Sequence, residues 1–162
     1  LDPLKRVAEV VRAHQESDLA RSRVRLILIG GHGERFAQFE NIQWLGLLDQ
    51  ASLRERYGAT DYLIQASEGE SFGLTTIEAA SQGATPIVRG GGALEEIQKT
   101  LGPGITFETT GQLLAIFAMI GALPPPSQSV RDTLRRQSLN QYEPKKVAEQ
   151  YDQVYAGLGV AK

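Results

Sequence analysis

The sequence predicts a doubly wound α/β domain, a parallel sheet with helices on both faces. Three observations carry that prediction. Five short apolar runs are interleaved with segments of helical periodicity, the pattern of parallel strands joined by crossover helices. The run "VRLILIG" at 24–30 is almost continuously apolar and ends in glycine, as a strand buried on both faces does. Four loops, "GGHGER", "GLLDQ", "SEGESFG" and "RGGGA", each follow a strand, and three of them carry closely spaced glycines. Glycine lets backbone approach a ligand closely, and ligands of such folds sit beyond the carboxyl ends of the strands.

Each element has its own local reason. Residues 4–16, "LKRVAEVVRAHQE", place Val7, Val10 and Val11 on one face among charges, which predicts an amphipathic helix. The strand at 24–30 follows, then a second at 41–46, "NIQWLG", and a helix at 49–58 that Gly58 ends. A third strand, "DYLIQAS" at 61–67, runs through a glycine-bearing loop into the helix of "ESFGLTTIEAASQGATPIV" (70–88). "ATPIVRG" at 84–90 is a fourth strand, "GALEEIQ" at 92–98 a short helix and "GITFE" at 104–108 a fifth strand. Helices are predicted at 110–121, 127–139 and 144–157. "PPP" at 124–126 separates the first two, because proline lacks the amide a helix interior needs.

Bulk properties narrow the function classes. A chain of 162 residues, 41% apolar and 22% charged, is one soluble globular domain or a compact piece of a larger protein. Its formal charge of −2 gives no electrostatic case for nucleic acid or an anionic membrane. Without cysteine there is no disulfide, thiolate metal site or cysteine nucleophile. The longest apolar run, "LLAIFAMIGAL" at 113–123, is well short of the roughly 20 residues that span a bilayer. The expected location is the cytoplasm, with any peripheral membrane contact made through parts outside this chain. The chain opens on Leu1 rather than Met and shows no signal-peptide pattern, so upstream sequence is expected.

The glycine loops differ in what they offer. "GGHGER" lacks the third glycine of a dinucleotide fingerprint, since Phe36 stands there. It is either a simple turn or a place where His32 meets a phosphate or sugar. In "SEGESFGL", Gly73 precedes a helix, so N–H groups near Leu74 and Thr75 point outward at the positive end of the helix dipole. Such an end suits a diphosphate. Glu78 has two readings: Thr75-x-x-Glu78 matches a capping box, and a carboxylate can equally accept from paired ribose hydroxyls. Glu70 is either a solvated loop charge, like its neighbour Glu68, or a ligand contact. Zinc spacings, a G-x-S-x-G elbow, a P-loop and an Asp-x-Asp pair are all missing. A bound diphosphate would therefore be neutralised by protein cations and helix N–H groups, with neither metal nor cofactor.

The stretch "ESFGLTTIEAASQGATPIVRGGGALEEI" resembles the C-terminal, donor-binding domain of GT-B glycosyltransferases, the glycosyl transferases group 1 set (glycosyltransferase family 4). Its signature is E-x7-E, and Glu70 and Glu78 hold that spacing, with "GATPIV" and "GGGALEE" following in order. "RLILIGGHGE", "ENIQWLGLLDQASLRERYGATDYLIQAS" and "YEPKKVAEQYDQVY" extend the resemblance over nearly the whole chain. It implies a Rossmann-like fold and retaining, metal-independent transfer of a sugar from a nucleotide diphosphate sugar. It also implies residue roles. Glu78 binds the donor ribose and Glu70 lies against the transferred sugar. Backbone at Phe72, Gly73, Leu74 and Thr75 meets sugar and diphosphate, while Gly46 and Leu47 frame the nucleobase. "LDPLK" resembles the end of the family's diphosphate-binding segment, which makes Lys5 the diphosphate lysine and puts its arginine companion before residue 1.

Several positions depart from the family pattern. Arg6 replaces the usual glycine, "GGHGER" has an extra glycine, Arg89 stands where a small or polar residue is usual, and the 34–40 connection is short. The resemblance further implies that residues 1–162 are the donor-binding half of a longer protein. The strand that opens this half and the N-terminal domain, which would bind a glycan, lipid or protein acceptor, would both precede Leu1. The sheet is then expected to be one strand short, and the isolated half inactive. Two other functions fit the same architecture: a sugar-nucleotide epimerase, or a non-catalytic nucleotide-sugar-binding or scaffold module.

Overall fold

A computed structural model describes residues 5–157. Its strands fall into two parallel sets. β1 (Leu26–Leu28) pairs with β2 (Ile42–Trp44), while β3 (Tyr62–Gln65), β4 (Thr85–Arg89) and β5 (Ile105–Phe107) pair in the order β3-β4-β5. On one side pack α1 (Val7–Glu16), α2 (Asp18–Arg23) and α6 (Thr110–Ala122). Val10, Val11, Ala20, Leu113 and Phe117 from these helices meet Leu26, Ile87 and Phe107 of the strands in the largest core. On the other side lie α3 (Gln50–Gly58), α4 (Leu74–Ser81), α5 (Ala93–Leu101) and α7 (Gln128–Tyr142). Their cores are Ile77, Ala80, Ile97, Leu101 and Leu134, and a smaller cluster around Tyr57 and Ala79. α8 (Pro144–Gly157) follows α7 with Tyr151, Val154 and Tyr155 exposed. No helix among the described residues is long and apolar enough to cross a membrane.

Several helices, though not α1, α4 or α5, begin where a side chain satisfies a first free amide. Asp49 accepts from the Ser52 amide at 2.8 Å to start α3, and Thr109 with Gln112 forms a reciprocal box at the head of α6. α2, which the sequence pattern does not reveal, is capped by Ser17 and buries only Ala20, so it carries no apolar periodicity. A 3-10 turn, Glu34–Phe36, occupies the short 34–40 connection and buries Phe36. α5 runs beyond residue 98 because Leu101 is fully buried.

The strand predicted at 24–30 is shorter than expected. β1 holds three residues, of which only Leu26 is buried, and Ile29 beyond it is exposed. The cause is that β1 has a partner on one edge only. The two strand sets nevertheless run in the same direction. Lys5, just before α1, contacts the loop after β3, whereas His14 near the end of α1 contacts Val24 just before β1. α1 thus runs from the carboxyl end of one set to the amino end of the other, which brings all the carboxyl ends to one edge.

His14 is fully buried. Gln15 donates to its Nδ1 at 3.0 Å, so the proton sits on Nε2, which donates to the Val24 carbonyl at 2.8 Å. Burial, outweighing that carbonyl, holds its pKa below the ordinary 6.5. A depressed folded pKa means stability is fully present above pH 6.5 and declines as pH falls below it. Thermal melts between pH 7.5 and 5 should show this decline, and His14→Gln should flatten it. Gly121 gives a second test. A Cβ there would lie 2.8 Å and 3.0 Å from the carbonyl carbon and oxygen of Leu19, which are backbone atoms that cannot swing aside. Gly121→Ala should cost about 1–3 kcal/mol by forcing α2 off α6, seen as a lower denaturant midpoint.

Candidate functional site

The carboxyl edge of β3 gathers a string of polar groups. Thr76 Oγ1, fully buried in α4, donates to Gln65 Oε1 at 2.6 Å, which orients the Gln65 amide. Gln65 Nε2 then donates to Glu70 Oε2 at 2.8 Å, and Lys5 Nζ donates to the same oxygen at 2.7 Å. The Glu70 side chain is 18% exposed and that of Lys5 49%. The pair therefore has one fixed member and one reaching into solvent. The Lys5 hydrogen bond, above all, holds the Glu70 carboxyl below the ordinary 4.5. Burial opposes it, while the Lys5 charge, the Gly73 amide and Gln65 reinforce it. Beside this pair, Arg6 salt-bridges Glu68, so residues 5 and 6 are both tied to the 68–70 loop.

Gly73 makes the turn into α4. Its φ of 73° and ψ of 38° are left-handed, a conformation that costs a residue with a Cβ roughly 1–2 kcal/mol. The Gly73 carbonyl accepts from Thr76 and Ile77, while the N–H groups of Leu74 and Thr75 have no partner among the described residues. Phe72 and Leu74 are exposed beside them. Free amides therefore stand at the positive end of the α4 dipole.

For Glu78 the capping alternative fails. α4 is capped by Gly73, with no side-chain cap, so Thr75 already lies inside the helix. The Glu78 carboxylate makes no hydrogen bond or ion pair among the described residues and is partly buried. It sits close enough to Tyr57 of α3 to help raise that phenol, which burial chiefly pushes up to about 12.

The remaining residues singled out in the sequence stand on the β1–β2 set. Gly46 has a φ of 70°, and its carbonyl accepts from the Gly30 amide at 2.7 Å; Leu47 is exposed. Trp44 Nε1 donates to the Gly30 carbonyl at 2.8 Å, and a Cβ at Gly33 would collide with the Trp44 ring. The glycines of "GGHGER" thus fold around an indole, as a simple turn would. His32 is exposed. Among the described residues no hydrogen bond or ion pair links Gly46 or Leu47 to the Glu70 loop.

Three further residues support the site, and sequence reasoning missed all three as such. Gln65 was detectable as the one amide inside the apolar run "DYLIQAS", whereas Thr76 looks like any helix threonine. Arg89, noticed only as a departure, is 13% exposed and ties four elements together. It donates to the carbonyls of Ala66 and Glu108 at 3.0 and 2.8 Å and to Glu9 at 2.7 Å. The other Glu9 oxygen accepts from Thr110 at 2.9 Å. Burial alone would raise the Glu9 carboxyl, but the Thr110 and Arg89 hydrogen bonds bring it below 4.5.

Fold and site together define a Rossmann-like α/β domain with a pre-built polar cluster at the carboxyl edge of its sheet. Solved structures share that fold. The sucrose-phosphate synthase of Thermosynechococcus elongatus matches with a TM-score of 0.79 at 21% identity over 99% of this chain. HepE of Anabaena, solved in complex with UDP and glucose, gives 0.75 at 15% identity over 97%. WaaG, a glycosyltransferase involved in lipopolysaccharide biosynthesis, gives 0.74 at 17% identity over 90%. These neighbours are GT-B glycosyltransferases, and the chain has the GT-B fold that its sequence resembles. It spans 44%, 46% and 43% of their respective lengths, less than half in each case. No family model and no curated protein sequence matches the chain.

The Lys5–Glu70 pair makes a direct expectation for titration. In Lys5→Met the Glu70 carboxyl should titrate closer to 4.5, its largest stabilising contact being lost, as followed by carboxyl NMR. An unchanged Glu70 pKa in that variant would show that Gln65 and the Gly73 amide hold the carboxylate by themselves.

Proposed function

We propose that this chain is the donor-binding half of a retaining, metal-independent glycosyltransferase that uses a nucleotide diphosphate sugar. The observation that carries the proposal is Lys5 held against Glu70 beside the free Leu74 and Thr75 amides at the head of α4. The fold shared with glycosyltransferases, one of them solved with UDP and glucose, supports it.

In this reading the diphosphate lies across the Leu74 and Thr75 amides with Lys5 on its outer oxygens. Glu70 and the backbone of Phe72 and Gly73 face the sugar. Glu78, whose carboxylate has no internal hydrogen bond, accepts from the ribose hydroxyls. Gly46 and Leu47 approach the nucleobase from β2. The bond between the anomeric carbon and the diphosphate oxygen breaks as the acceptor hydroxyl attacks from the same face. The leaving diphosphate takes the electron pair and, as it departs, the proton of the acceptor hydroxyl, and the growing negative charge is met by Lys5 and the helix amides. No metal or cofactor is assigned a part. The acceptor, a glycan, lipid or protein hydroxyl, is bound by another domain of a longer protein, and the reaction is placed in the cytoplasm.

Titrating the chain with UDP, GDP and ADP, with amide shifts recorded by NMR, tests the binding half of this proposal. The largest shifts are expected at Leu74 and Thr75. Glu78→Ala should weaken the preferred nucleotide by about 10- to 100-fold, the usual worth of hydrogen bonds to a charged acceptor. In the full-length enzyme, Lys5→Ala should lower kcat by roughly 100- to 1,000-fold while donor KM changes little. Nucleotide binding that ignores Glu78 and leaves the α4 amides unshifted would remove this site from consideration.

A further inference from the structure

Gln65 is the last residue of β3, and its backbone is pinned beside Val88 of the central strand. Its side chain is buried and ends in an amide, with donors on one side and an acceptor on the other. Both sides are used. Thr76 Oγ1 meets Gln65 Oε1 at 2.6 Å, and Gln65 Nε2 meets Glu70 Oε2 at 2.8 Å. The direction of this relay follows from chemistry. An ionised carboxylate only accepts, so the Gln65 NH2 group must face Glu70, its carbonyl oxygen must face Thr76, and the Thr76 hydroxyl must donate. Thr76 is fully buried inside α4, where a threonine hydroxyl commonly bonds back to a carbonyl of its own helix. Here it goes to the amide instead.

The relay leaves the two oxygens of Glu70 unequal. Oε2 accepts from both Gln65 and Lys5, at 2.8 and 2.7 Å, whereas Oε1 accepts from no side chain among the described residues. The stem is braced as well, since a Cβ built at Gly73 would stand 3.7 Å from Glu70 Cγ. Turning the carboxylate would break the Gln65 bond. Oε1 is therefore held in one place, in the loop that leads to the free Leu74 and Thr75 amides, and the side chain keeps 18% of its surface open to a ligand.

Stability does not call for such a relay. A buried amide and hydroxyl that satisfy one another contribute little net free energy, and an apolar pair of the same shape in their place is close to neutral. β3 and α4 already meet through apolar residues, Leu63 packing against the cluster of Tyr57, Ala79 and Ala84. What the relay adds is an orientation for a carboxylate five residues further on, in a loop that strand pairing does not reach.

We propose that Gln65, oriented by Thr76, is the positioning residue of the sugar subsite, fixing Glu70 so that Oε1 accepts a hydrogen bond from one hydroxyl of the transferred sugar. The inference rests on the glycosyltransferase reading and deepens it by naming what the subsite selects, a neutral sugar with a hydroxyl donor at that one position. A group there that cannot donate, whether a carboxylate or a fluorine, meets a carboxylate that cannot turn away and leaves Oε1 unpaired.

The test compares the unaltered chain with Gln65→Leu/Thr76→Val, which exchanges both partners for apolar side chains of similar shape, and with Thr76→Ser, which keeps the hydroxyl. Calorimetric titration uses whichever of UDP, GDP and ADP the chain binds, its glucose conjugate, and analogues of that conjugate carrying fluorine in place of one hydroxyl at a time. In the unaltered chain one analogue should bind at least about tenfold more weakly than the glucose conjugate, and Thr76→Ser should keep that difference. In the double variant the difference should shrink to about threefold or less, while the nucleotide alone binds as before and the melting temperature holds. Should the double variant fail to fold, Thr76→Val alone, which frees the amide to turn, is read in the same way. An undiminished fluorine penalty in these variants would overturn the inference, because Glu70 would then be placed without the relay. So would an equal loss of nucleotide and conjugate affinity, which a merely structural relay would give. A chain that binds a nucleotide but shows no fluorine penalty sinks this inference alone, whereas a chain that binds none of the three nucleotides removes the donor-site proposal and this inference with it.

Discussion

The buried pair of Arg89 and Glu9 is the interaction on which the carboxyl edge depends. Parallel strands present their carboxyl ends together, but nothing in strand pairing decides how the helices and loops above those ends sit relative to one another. Arg89 makes that decision by spending its donors on three elements, the ends of β3 and β5 and helix α1. Glu9 passes the constraint on to α6 through Thr110. With the two side chains only 13% and 11% exposed, desolvation is substantial, and it is offset because most donors and acceptors of the pair are satisfied. Such a pair adds little net stability over a well-packed apolar one, yet removing either partner strands a charge, typically at about 3–5 kcal/mol. What it contributes is placement. α1 enters the edge at one position, and so Lys5 does too.

Glu70 is placed by different means. Its fixed member is a buried amide, Gln65, which is held in turn by Thr76. That relay makes the carboxylate position independent of Lys5, whose side chain is half-exposed. The asymmetry matters for the proposed donor site. A lysine on a flexible stem can exchange its carboxylate for a diphosphate oxygen without dismantling the loop. Arg6 adds to the grip on the same loop through Glu68, and it does so from a left-handed backbone position, φ 51°, where the family pattern has glycine. An arginine there exchanges backbone ease for a second ion pair.

How much could be read from the sequence follows from the kind of force at each position. Val88 and Ile87 sit in a central strand covered on both faces, so burial alone makes their segment legible. α1 was legible because Val10 and Val11 repeat against solvent-facing charges. α2 was not, since a single capping serine and one buried alanine leave no period to detect. Glu70 could be picked out because its spacing to Glu78 resembles a family signature, and Gly73 because it stands just before a helix. The relay behind Glu70 could not, because Gln65 and Thr76 are eleven positions apart and meet only when β3 is laid beside α4. Glu78 shows the opposite case. A local motif, Thr75-x-x-Glu78, suggested a cap, and the turn at Gly73 started the helix two residues earlier and voided it.

The shortened β1 and the side chain of Lys5 border one cavity. A strand whose second edge is unpaired loses order at its ends, and β1 stops at Leu28 although the apolar run continues to Ile29. Lys5 lines the cavity between β1 and β3. In a doubly wound sheet the crevice for ligand opens where the crossovers change direction, and here that point falls between β1 and β3, at the end occupied by Lys5, Glu70 and the head of α4. The members of the polar cluster are held unequally at that point: Gln65, Thr76 and Arg89 are fixed by hydrogen bonds to neighbouring elements, whereas Lys5 has Glu70 as its one side-chain partner among the described residues.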